Sequence, residues 1–268
     1  MRRSVLDVIF SPCIDIIFSH HDLSFSEKVR KVHKLGYSAY EFWSWTDLDL
    51  NEVENVQNEL GIKAATFIAN ASPLIHPNYR SHYEEEVIRS IAVAQRLGTK
   101  NLLTLTGWQT YDEIPRESQY QSIVEGLKRV APHLEQSGIT IVLESLNEFD
   151  HPGYFLRSSQ EAFSIIDEVG SPNIKVLFDI YHQQISEGNL TPNIINNLDK
   201  IGYFHIADHP GRNEPGTGEI NYHNILRAIE QAGYTGFLGL EYKPEMDPEL
   251  SLQTFKENYI LISKSSSR

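Results

Sequence analysis

Apolar runs of strand length alternate with amphipathic helical segments along the whole chain. Eight runs rich in β-branched and aromatic residues predict strands, at residues 8–18, 39–43, 63–68, 101–106, 139–144, 174–179, 201–205 and 237–241. Apolar positions at helical spacing predict helices between and after them, at residues 24–35, 50–60, 82–97, 119–136, 159–169, 192–198, 222–231 and 250–262. This alternation of strand and helix is typical of parallel βα units.

The number of these units favours a closed barrel. Eight strands with eight helices in 268 residues predict an α/β protein of the (β/α)8 TIM barrel type, a fold that needs about 250 residues. We therefore expect a single domain over residues 1–268. A doubly wound open sheet is the alternative, but the Gly-x-Gly-x-x-Gly pattern expected after its first strand is absent. The tail at residues 263–268 is expected to fray.

Composition and charge narrow the classes of partner. The net charge is −13 and the basic residues form no long block, which argues against nucleic acid because such a surface repels phosphates. No apolar run approaches the roughly 20 residues that span a bilayer, so we expect no membrane partner. The start of the chain does not have the pattern of a signal peptide, and Cys13 has no second cysteine to pair with. We predict a cytoplasmic protein, and the sequence leaves open whether it forms a homo-oligomer.

Four strands of the second half end on metal-ligand residue types. They are Glu144, Asp179, His205 and Glu241. Because the C-terminal ends of neighbouring barrel strands converge, these side chains are expected to meet at one ion or substrate. Three carboxylates with one imidazole favour Mn or Mg over Co or Zn. The alternative is that each residue merely caps a helix or faces solvent from a loop.

Glu144 and Glu241 also suit acid–base chemistry. Two carboxylates flanking a sugar can remove a proton from one carbon and return it to its neighbour, while a nearby divalent ion stabilises the developing charge. Glycoside hydrolysis uses a similar pair, but it needs no Asp and His beside them to hold an ion. The pair therefore favours proton transfer between adjacent carbons.

Two further residues are candidates for binding substrate. His182 follows Asp179 by three residues and is expected above the barrel mouth, where it could contact a hydroxyl or merely the loop. Arg212 lies in a loop rich in Gly and Pro, where its guanidinium could clamp a carboxylate or hydroxyls or remain solvated. The glycines at 216 and 218 resemble a phosphate-binding turn only weakly, and tight turning explains them better. No role is assigned from the sequence to a set of polar and aromatic residues in the first half: Glu41, Trp43, Trp45, Asn70, His76 and Trp108.

Short motifs in the second half resemble a known superfamily. They are Leu-Glu-Ser at 143–145, Phe-Asp-Ile-Tyr-His-Gln at 178–183, Glu-Gly-Asn-Leu at 187–190, His-Ile-Ala-Asp at 205–208, Pro-Gly-Arg-x-Glu-Pro at 210–215, Gly-Glu-Ile-Asn-Tyr at 218–222 and Gly-Leu-Glu-Tyr-Lys-Pro at 239–244. With them the chain resembles the xylose-isomerase-like barrels, which are sugar isomerases and epimerases, and most of all their hydroxypyruvate-isomerase-like branch.

The resemblance implies roles for the candidate residues. It implies Glu144 and Glu241 as the catalytic pair, Glu144, Asp179, His205 and Glu241 as metal ligands, and His182 and Arg212 as substrate contacts. Some members of the branch carry Gln in place of His205, so this position is more similar to the ketose 3-epimerases and strengthens the metal prediction.

The function expected from these features is that of a metal-assisted isomerase. Its substrate would be a small hydroxy-carbonyl compound of the hydroxypyruvate or 2-oxo-acid sugar kind, with a proton passing between adjacent carbons through an enediolate. A ketose 3-epimerase and an inosose-type dehydratase remain alternatives, as does a barrel that only binds a sugar. DNA-repair endonucleases share the barrel, but their additional metal ligands and basic groove are not expected here.

Overall fold

All eight predicted strands occur in the computed structural model, which describes residues 8–261. The strands are β1 Ile9–Pro12, β2 Ala39–Tyr40, β3 Lys63–Ala64, β4 Asn101–Thr104, β5 Thr140–Glu144, β6 Ile174–Asp179, β7 Ile201–Ile206 and β8 Phe237–Leu240. The helices are α1 Ile14–Ile17, α2 Phe25–Lys34, α3 Leu50–Leu60, α4 Arg80–Leu97, α5 Arg116–Ser137, α6 Ser159–Val169, α7 Ile180–Ser186, α8 Leu190–Asn196, α9 Tyr222–Gln231 and α10 Pro248–Phe255. A π-helical segment, Lys256–Leu261, follows α10.

The strands close into a parallel barrel. Six of them pair in the order β1-β8-β7-β6-β5-β4, and β2 pairs with β3. Single parallel bridges join the two groups, from Cys13 to Glu41 on one side and from Ile68 to Leu103 on the other. The prediction of a (β/α)8 TIM barrel is confirmed, and the C-terminal ends of all eight strands face the same mouth.

Three segments differ from the sequence prediction. Residues 8–18 form a short strand and then the buried helix α1, because a short apolar run does not distinguish a strand from a buried helix. The helix predicted over residues 192–198 is α8, which begins and ends two residues earlier, and an additional helix, α7, starts directly after β6. The last predicted helix changes to π-helical geometry at Lys256, and its end at residue 262, like the tail at 263–268, lies outside the described residues.

Local signals at the helix ends agree with the sequence. Ser24 accepts a hydrogen bond from the backbone of Glu27 while the Glu27 side chain accepts one from the backbone of Ser24, which completes the capping box of α2. Gly61 and Gly138 end α3 and α5 in the left-handed conformation that favours glycine. Within residues 8–261, every helix is too short or too polar to cross a membrane.

Candidate metal centre and active site

The barrel brings the four predicted ligand residues together at its mouth. One donor atom from each of Glu144, Asp179, His205 and Glu241 lies within 4.8 Å of the others, and all four side chains are buried. Glu144 and Asp179 are the last residues of β5 and β6, His205 is the second-last residue of β7, and Glu241 directly follows β8. Adjacent strand ends therefore place three carboxylates around one imidazole.

His205 lies at the centre of this cluster and uses its two ring nitrogens differently. Its Nδ1 atom is 3.2 Å from Glu144 Oε1, 3.4 Å from Glu241 Oε2 and 3.9 Å from Asp179 Oδ2. Its Nε2 atom faces the opposite way and is 3.2 Å from Glu41 Oε1, at an angle short of a full hydrogen bond. Burial lowers the pKa of His205, but Glu41 and Glu241 outweigh it and hold that pKa well above its usual value.

Asp179 resolves the alternative that these residues are only helix caps. Its Oδ1 accepts the backbone N–H of His182 at 3.0 Å and so caps α7. Its Oδ2 is buried and has no hydrogen-bond partner within the described residues. A buried carboxylate oxygen without a partner is costly, so the residue caps a helix with one oxygen and leaves the other for a ligand at the cluster.

The donor set fits a divalent cation. Two ligands of one ion at about 2.1–2.3 Å from it lie at most about 4.5 Å apart, so the observed cluster would need only a small contraction. Carboxylate oxygens with a single imidazole suit Mn or Mg, and Zn or Co would be accepted as well. The cluster could therefore hold one divalent ion, and its chemistry does not identify the metal.

The two glutamates of the predicted catalytic pair are perturbed in opposite directions. Burial raises the pKa of Glu144 to about 7, although its hydrogen bond with His205 opposes this change. Burial also raises the pKa of Glu241, but the charges of Arg212 and His205 and the donor Trp43 outweigh it and leave that pKa below its usual value. Near neutral pH, Glu241 is thus a carboxylate while Glu144 can hold a proton.

Arg212 reaches the cluster from the loop between β7 and α9. Its Nη2 atom donates a hydrogen bond to Glu241 Oε2, and its guanidinium lies 5.7 Å from the ring centre of Tyr181. Its backbone adopts a left-handed φ of 59°. The structure therefore places Arg212 beside a predicted ligand, and a purely solvated position is excluded.

Asp208 organises this loop from inside. It is fully buried, and its carboxylate accepts the backbone N–H groups of His209, Gly216 and Ile220 at 3.0, 2.7 and 3.0 Å. A side chain at Gly218 would come within 2.1 Å of the His209 carbonyl oxygen. Gly218 therefore permits close packing of the loop, Gly216 adopts the left-handed φ of 99° that suits the predicted turn, and Asp208 fixes the segment that carries Arg212.

His182 is buried, and its surroundings determine which ring nitrogen carries the hydrogen. The Nδ1 atom accepts the backbone N–H of Asn147 at 3.3 Å, and the Asn147 side-chain amide lies 2.6 Å from it. Burial, with the charge of Arg212, holds the pKa of His182 well below its usual value. The neutral ring therefore carries its hydrogen on Nε2. That atom is buried without a hydrogen-bond partner in the described structure and lies 3.7 Å from Asp179 Oδ2.

Two residues of the first half contact the cluster, although no role was predicted for them. Glu41 follows β2 and is buried against His205, and it also accepts a hydrogen bond from the Tyr203 hydroxyl at 2.5 Å. Trp43 donates its indole N–H to Glu241 Oε1 at 2.9 Å. The approach of Glu41 to His205 depends on Gly239, where a side chain would come within 2.4 Å of Glu41 Oε2 and 2.6 Å of His205 Cδ2. Only glycine permits this contact.

The other unassigned residues of the first half contact other groups. Trp45 donates its indole N–H to Ser90 Oγ, and Asn70 donates to two backbone carbonyl oxygens. His76 packs against Tyr79 and Tyr111. Trp108 is 60% exposed and stacks on His151.

Two cavities open near the mouth. One, of about 300 Å³, is lined by Trp43, Trp45, Asn70, Glu86, Arg89 and Trp108 on the side of the first four strands. The other, of about 780 Å³, is lined by Asp150, His151, Tyr181, His209, Arg212 and Lys243 on the side of the last four. Trp43 and Arg212, which contact the two oxygens of Glu241, each line one of these cavities.

Comparison with known proteins agrees with this geometry. The family model described as xylose isomerase-like TIM barrel matches residues 29–257. The chain belongs to the xylose isomerase-like TIM barrel family. Among curated relatives, hydroxypyruvate isomerase of Escherichia coli K12 is 34% identical over 252 residues, covering 91% of this chain and 96% of that protein. A 2-oxo-tetronate isomerase of Cupriavidus necator is 27% identical, with 92% and 97% covered.

Solved structures of the family share the barrel. A protein of Brucella melitensis named as an AP endonuclease of family 2 superimposes with a TM-score of 0.88 at 26% identity, covering 94% of this chain and 99% of that one. An L-ribulose 3-epimerase superimposes with a TM-score of 0.80 at 21% identity, covering 97% and 96%. The identified family and its named isomerases confirm the prediction of an enzyme of the sugar isomerase and epimerase class.

Proposed function

We propose that this enzyme is a metal-assisted isomerase of a small hydroxy-oxo acid, of the hydroxypyruvate or 2-oxo-acid sugar kind. The observation that carries the proposal is the convergence of the buried carboxylates of Glu144 and Glu241 with Asp179 and His205 at the barrel mouth. Two carboxylates that face one site can take a proton from one carbon of a substrate and return it to the neighbouring carbon. The relatives named as hydroxypyruvate and 2-oxo-tetronate isomerases support the choice of substrate class.

Glu241 is the proposed base of the reaction. It is held as a carboxylate by Arg212 and oriented by Trp43. It takes the proton from the hydroxyl-bearing carbon, which gives an enediolate after the electron pair of the C–H bond moves toward the carbonyl. Glu144, the other carboxylate of the pair, is proposed to return the proton at the neighbouring carbon.

His182 is the proposed donor to a substrate oxygen. Its Nε2–H is buried without a partner in the described residues, and its other nitrogen is occupied by Asn147. A neutral imidazole with its hydrogen on that side can donate to the carbonyl or hydroxyl oxygen of a substrate and cannot accept there.

The four residues Glu144, Asp179, His205 and Glu241 are the proposed holders of a divalent ion. When bound, such an ion would act as a Lewis acid that stabilises negative charge developing on substrate oxygens. Mn or Mg is proposed from the carboxylate-rich donor set. The support is the four converging donors and the partnerless Oδ2 of Asp179.

The partner is proposed to be a small molecule and not nucleic acid. The net charge of −13 disfavours phosphate backbones, although the Brucella protein of the same fold is named as an AP endonuclease. Gel-shift titration with a duplex carrying an abasic site should show no complex at physiological salt. A complex of micromolar or tighter affinity, followed by strand cleavage, would contradict the proposal.

Exchange into heavy water tests the reaction. The enzyme, supplied with Mn²⁺, is incubated with hydroxypyruvate, a panel of 2-oxo acids and ketoses, and followed by NMR. We expect deuterium to enter a carbon next to the carbonyl and the rate to fall at least about a thousandfold in Glu241→Gln. Glu245 is exposed and lies four residues beyond Glu241, so Glu245→Gln is the matched control and should retain the rate.

The products separate the remaining alternatives. An isomerase yields a new aldehyde or ketone position, a 3-epimerase returns a ketose inverted at the labelled carbon, and a dehydratase loses a hydroxyl group. Undiminished exchange in Glu241→Gln would contradict the assigned base. No exchange with any compound would overturn the isomerase proposal and favour a lyase or a binding protein.

A further inference from the structure

The larger cavity beside the cluster carries an unusual set of buried nitrogen atoms. His151 Nε2, His209 Nδ1 and Arg212 Nε are all buried, and none has a hydrogen-bond partner within residues 8–261. All three residues line the same cavity of about 780 Å³. An arginine Nε always carries a hydrogen, and an imidazole nitrogen can do so. Because buried donors are rarely left without acceptors, this wall is suited to a ligand with several acceptor oxygens.

The charges on this wall favour an anionic ligand. Arg212 and Lys243 are cationic, and Asp150 is the one carboxylate among the lining residues that the structure describes. The Asp150 carboxylate is already engaged, since its Oδ2 accepts hydrogen bonds from Tyr181 at 2.7 Å and from Asn147 at 3.0 Å. The wall thus carries an excess of positive charge on a chain whose net charge is −13.

The smaller cavity across the mouth shows that this charge is specific to one side. Its charged lining residues are one acid and one base, Glu86 and Arg89. The Glu86 carboxylate accepts the backbone N–H of Ser72 at 3.1 Å. Its other lining residues are tryptophans, small residues, Ile68, Leu105 and Asn70. A neutral, hydroxyl-bearing end of a substrate suits that side, whereas an acid group suits the larger cavity.

We propose that the larger cavity binds the carboxylate of the substrate, with Arg212, His209 and Lys243 as the residues that recognise it. The inference rests on the proposed function and adds where the acid group lies. Arg212 joins this wall to the cluster through its hydrogen bond to Glu241. In a 2-oxo acid the carboxylate is bonded directly to the carbonyl carbon, so a carbonyl at the cluster leaves the acid group within reach of Arg212.

Ring contacts hold the proposed recognition residues in place. Tyr181 lies between them, with its ring centre 5.9 Å from that of His209 and 5.7 Å from the Arg212 guanidinium carbon. The Tyr181 hydroxyl is fixed by Asp150. The loop backbone at His209 is fixed by Asp208. The donors are therefore oriented before a ligand arrives, which reduces the entropy lost on binding.

Calorimetric binding with two matched ligands tests the inference. Hydroxypyruvate and its neutral analogue dihydroxyacetone are titrated into the full chain with Mn²⁺ present, and dihydroxyacetone phosphate forms a third arm. In the wild type we expect hydroxypyruvate to bind at least about tenfold more tightly than dihydroxyacetone. In Lys243→Met and in His209→Leu, the Kd of hydroxypyruvate should rise about five- to tenfold, and that of dihydroxyacetone should change by less than about twofold.

The control removes the same charge at the other end of the barrel. Lys100 is exposed and directly precedes β4, so Lys100→Met should leave both affinities unchanged. Lys243 is exposed as well, and its substitution is expected to preserve folding even if His209→Leu does not.

The titrations test the carboxylate subsite, and the deuterium exchange tests the proposed isomerase function. Equal wild-type affinity for hydroxypyruvate and dihydroxyacetone, or equal weakening of both in Lys243→Met, would overturn the carboxylate subsite. Tighter binding of dihydroxyacetone phosphate than of hydroxypyruvate would show that the larger cavity recognises a phosphate group and not a carboxylate. The predicted affinities without any deuterium exchange would keep the subsite and overturn the proposed isomerase function, so the two failures are distinguishable.

Discussion

Strands β5 to β8 are four to six residues long and bring a ligand residue to the mouth, whereas β2 and β3 are two residues each and bring none. Strand β2 nevertheless leads into Glu41 and Trp43, which contact His205 and Glu241. One half of the barrel therefore supplies the candidate ligands and the other half orients two of them. Orienting groups of this kind commonly change metal affinity 10- to 100-fold.

Gly239 lies where the two halves of the barrel meet, so its substitution is the strongest test of the orienting role of the first half. In Gly239→Ala the new methyl group would collide with Glu41 and His205, so we expect Mn²⁺ affinity to fall about a hundredfold or more. Calorimetry measures the affinity, and thermal unfolding measures stability.

Gly202 provides the matched control for this substitution. It is the second residue of β7, the strand that carries His205. A side chain there would come within 2.8 Å of Lys175 Cβ and 3.0 Å of Val142 Cγ1, and neither residue is a candidate ligand. Gly202→Ala should lower the Tm and leave Mn²⁺ affinity unchanged. Equal losses of affinity in both variants would show that the contact at Gly239 has no specific role.

Substitution of Glu41 tests the orienting role without a steric clash. Glu41→Ala removes the carboxylate that faces His205 Nε2, and we expect Mn²⁺ affinity to fall about 10- to 100-fold. Glu41→Gln keeps an oxygen at this position and should lose less. The absorption spectrum of bound Co²⁺ should change in Glu41→Ala, because the imidazole is free to rotate. Glu86→Ala, in the smaller cavity, is the control. A Glu41 variant whose Mn²⁺ affinity equals that of Glu86→Ala would contradict the orienting role.

The candidate ligands of the second half should make the stability of the metal-free protein depend on pH. The pKa values of Glu144, Asp179 and His205 are all raised in the folded state, so the folded protein binds more protons than the unfolded one. Stability therefore falls as pH rises, and for Glu144 the loss develops between its unfolded pKa near 4.5 and its folded pKa of about 7. We expect a change on the order of 2 kcal/mol from this group.

Thermal unfolding between pH 5 and pH 8 measures this effect. The Tm should decline with pH in the metal-free protein, less steeply in Glu144→Gln, and least with saturating Mn²⁺, since an ion replaces the bound protons. A Tm that rises over this range in the metal-free protein would contradict the direction of these shifts.

The same comparison explains what the sequence could predict. Glu144, Asp179, His205 and Glu241 end consecutive strands, so alternation of strands and helices was enough to place them together. Glu41 meets His205 only after the barrel closes, through a gap that Gly239 leaves open, and a local pattern contains no such information. Asp208 and the left-handed Arg212 depend likewise on loop conformation. Helix α1 was predicted as strand because a short apolar segment suits either strand or helix, and the short helix α7 was not predicted.

Trp43 offers the mildest test of the first half, because it acts on a charge through a single hydrogen bond. Trp43→Phe keeps an aromatic wall for the smaller cavity but removes the indole N–H that donates to Glu241 Oε1 at 2.9 Å. Loss of one such bond costs about 1 kcal/mol, so kcat/KM should fall about three- to tenfold. The donor helps to keep the pKa of Glu241 low, so its removal raises that pKa. Because the base must be ionised, the acid limb of the pH profile of kcat/KM should move to higher pH. In Trp45→Phe, which loses only a bond to Ser90, that limb should stay in place; a shift shared by both variants would mean that the first half acts on the site through packing alone.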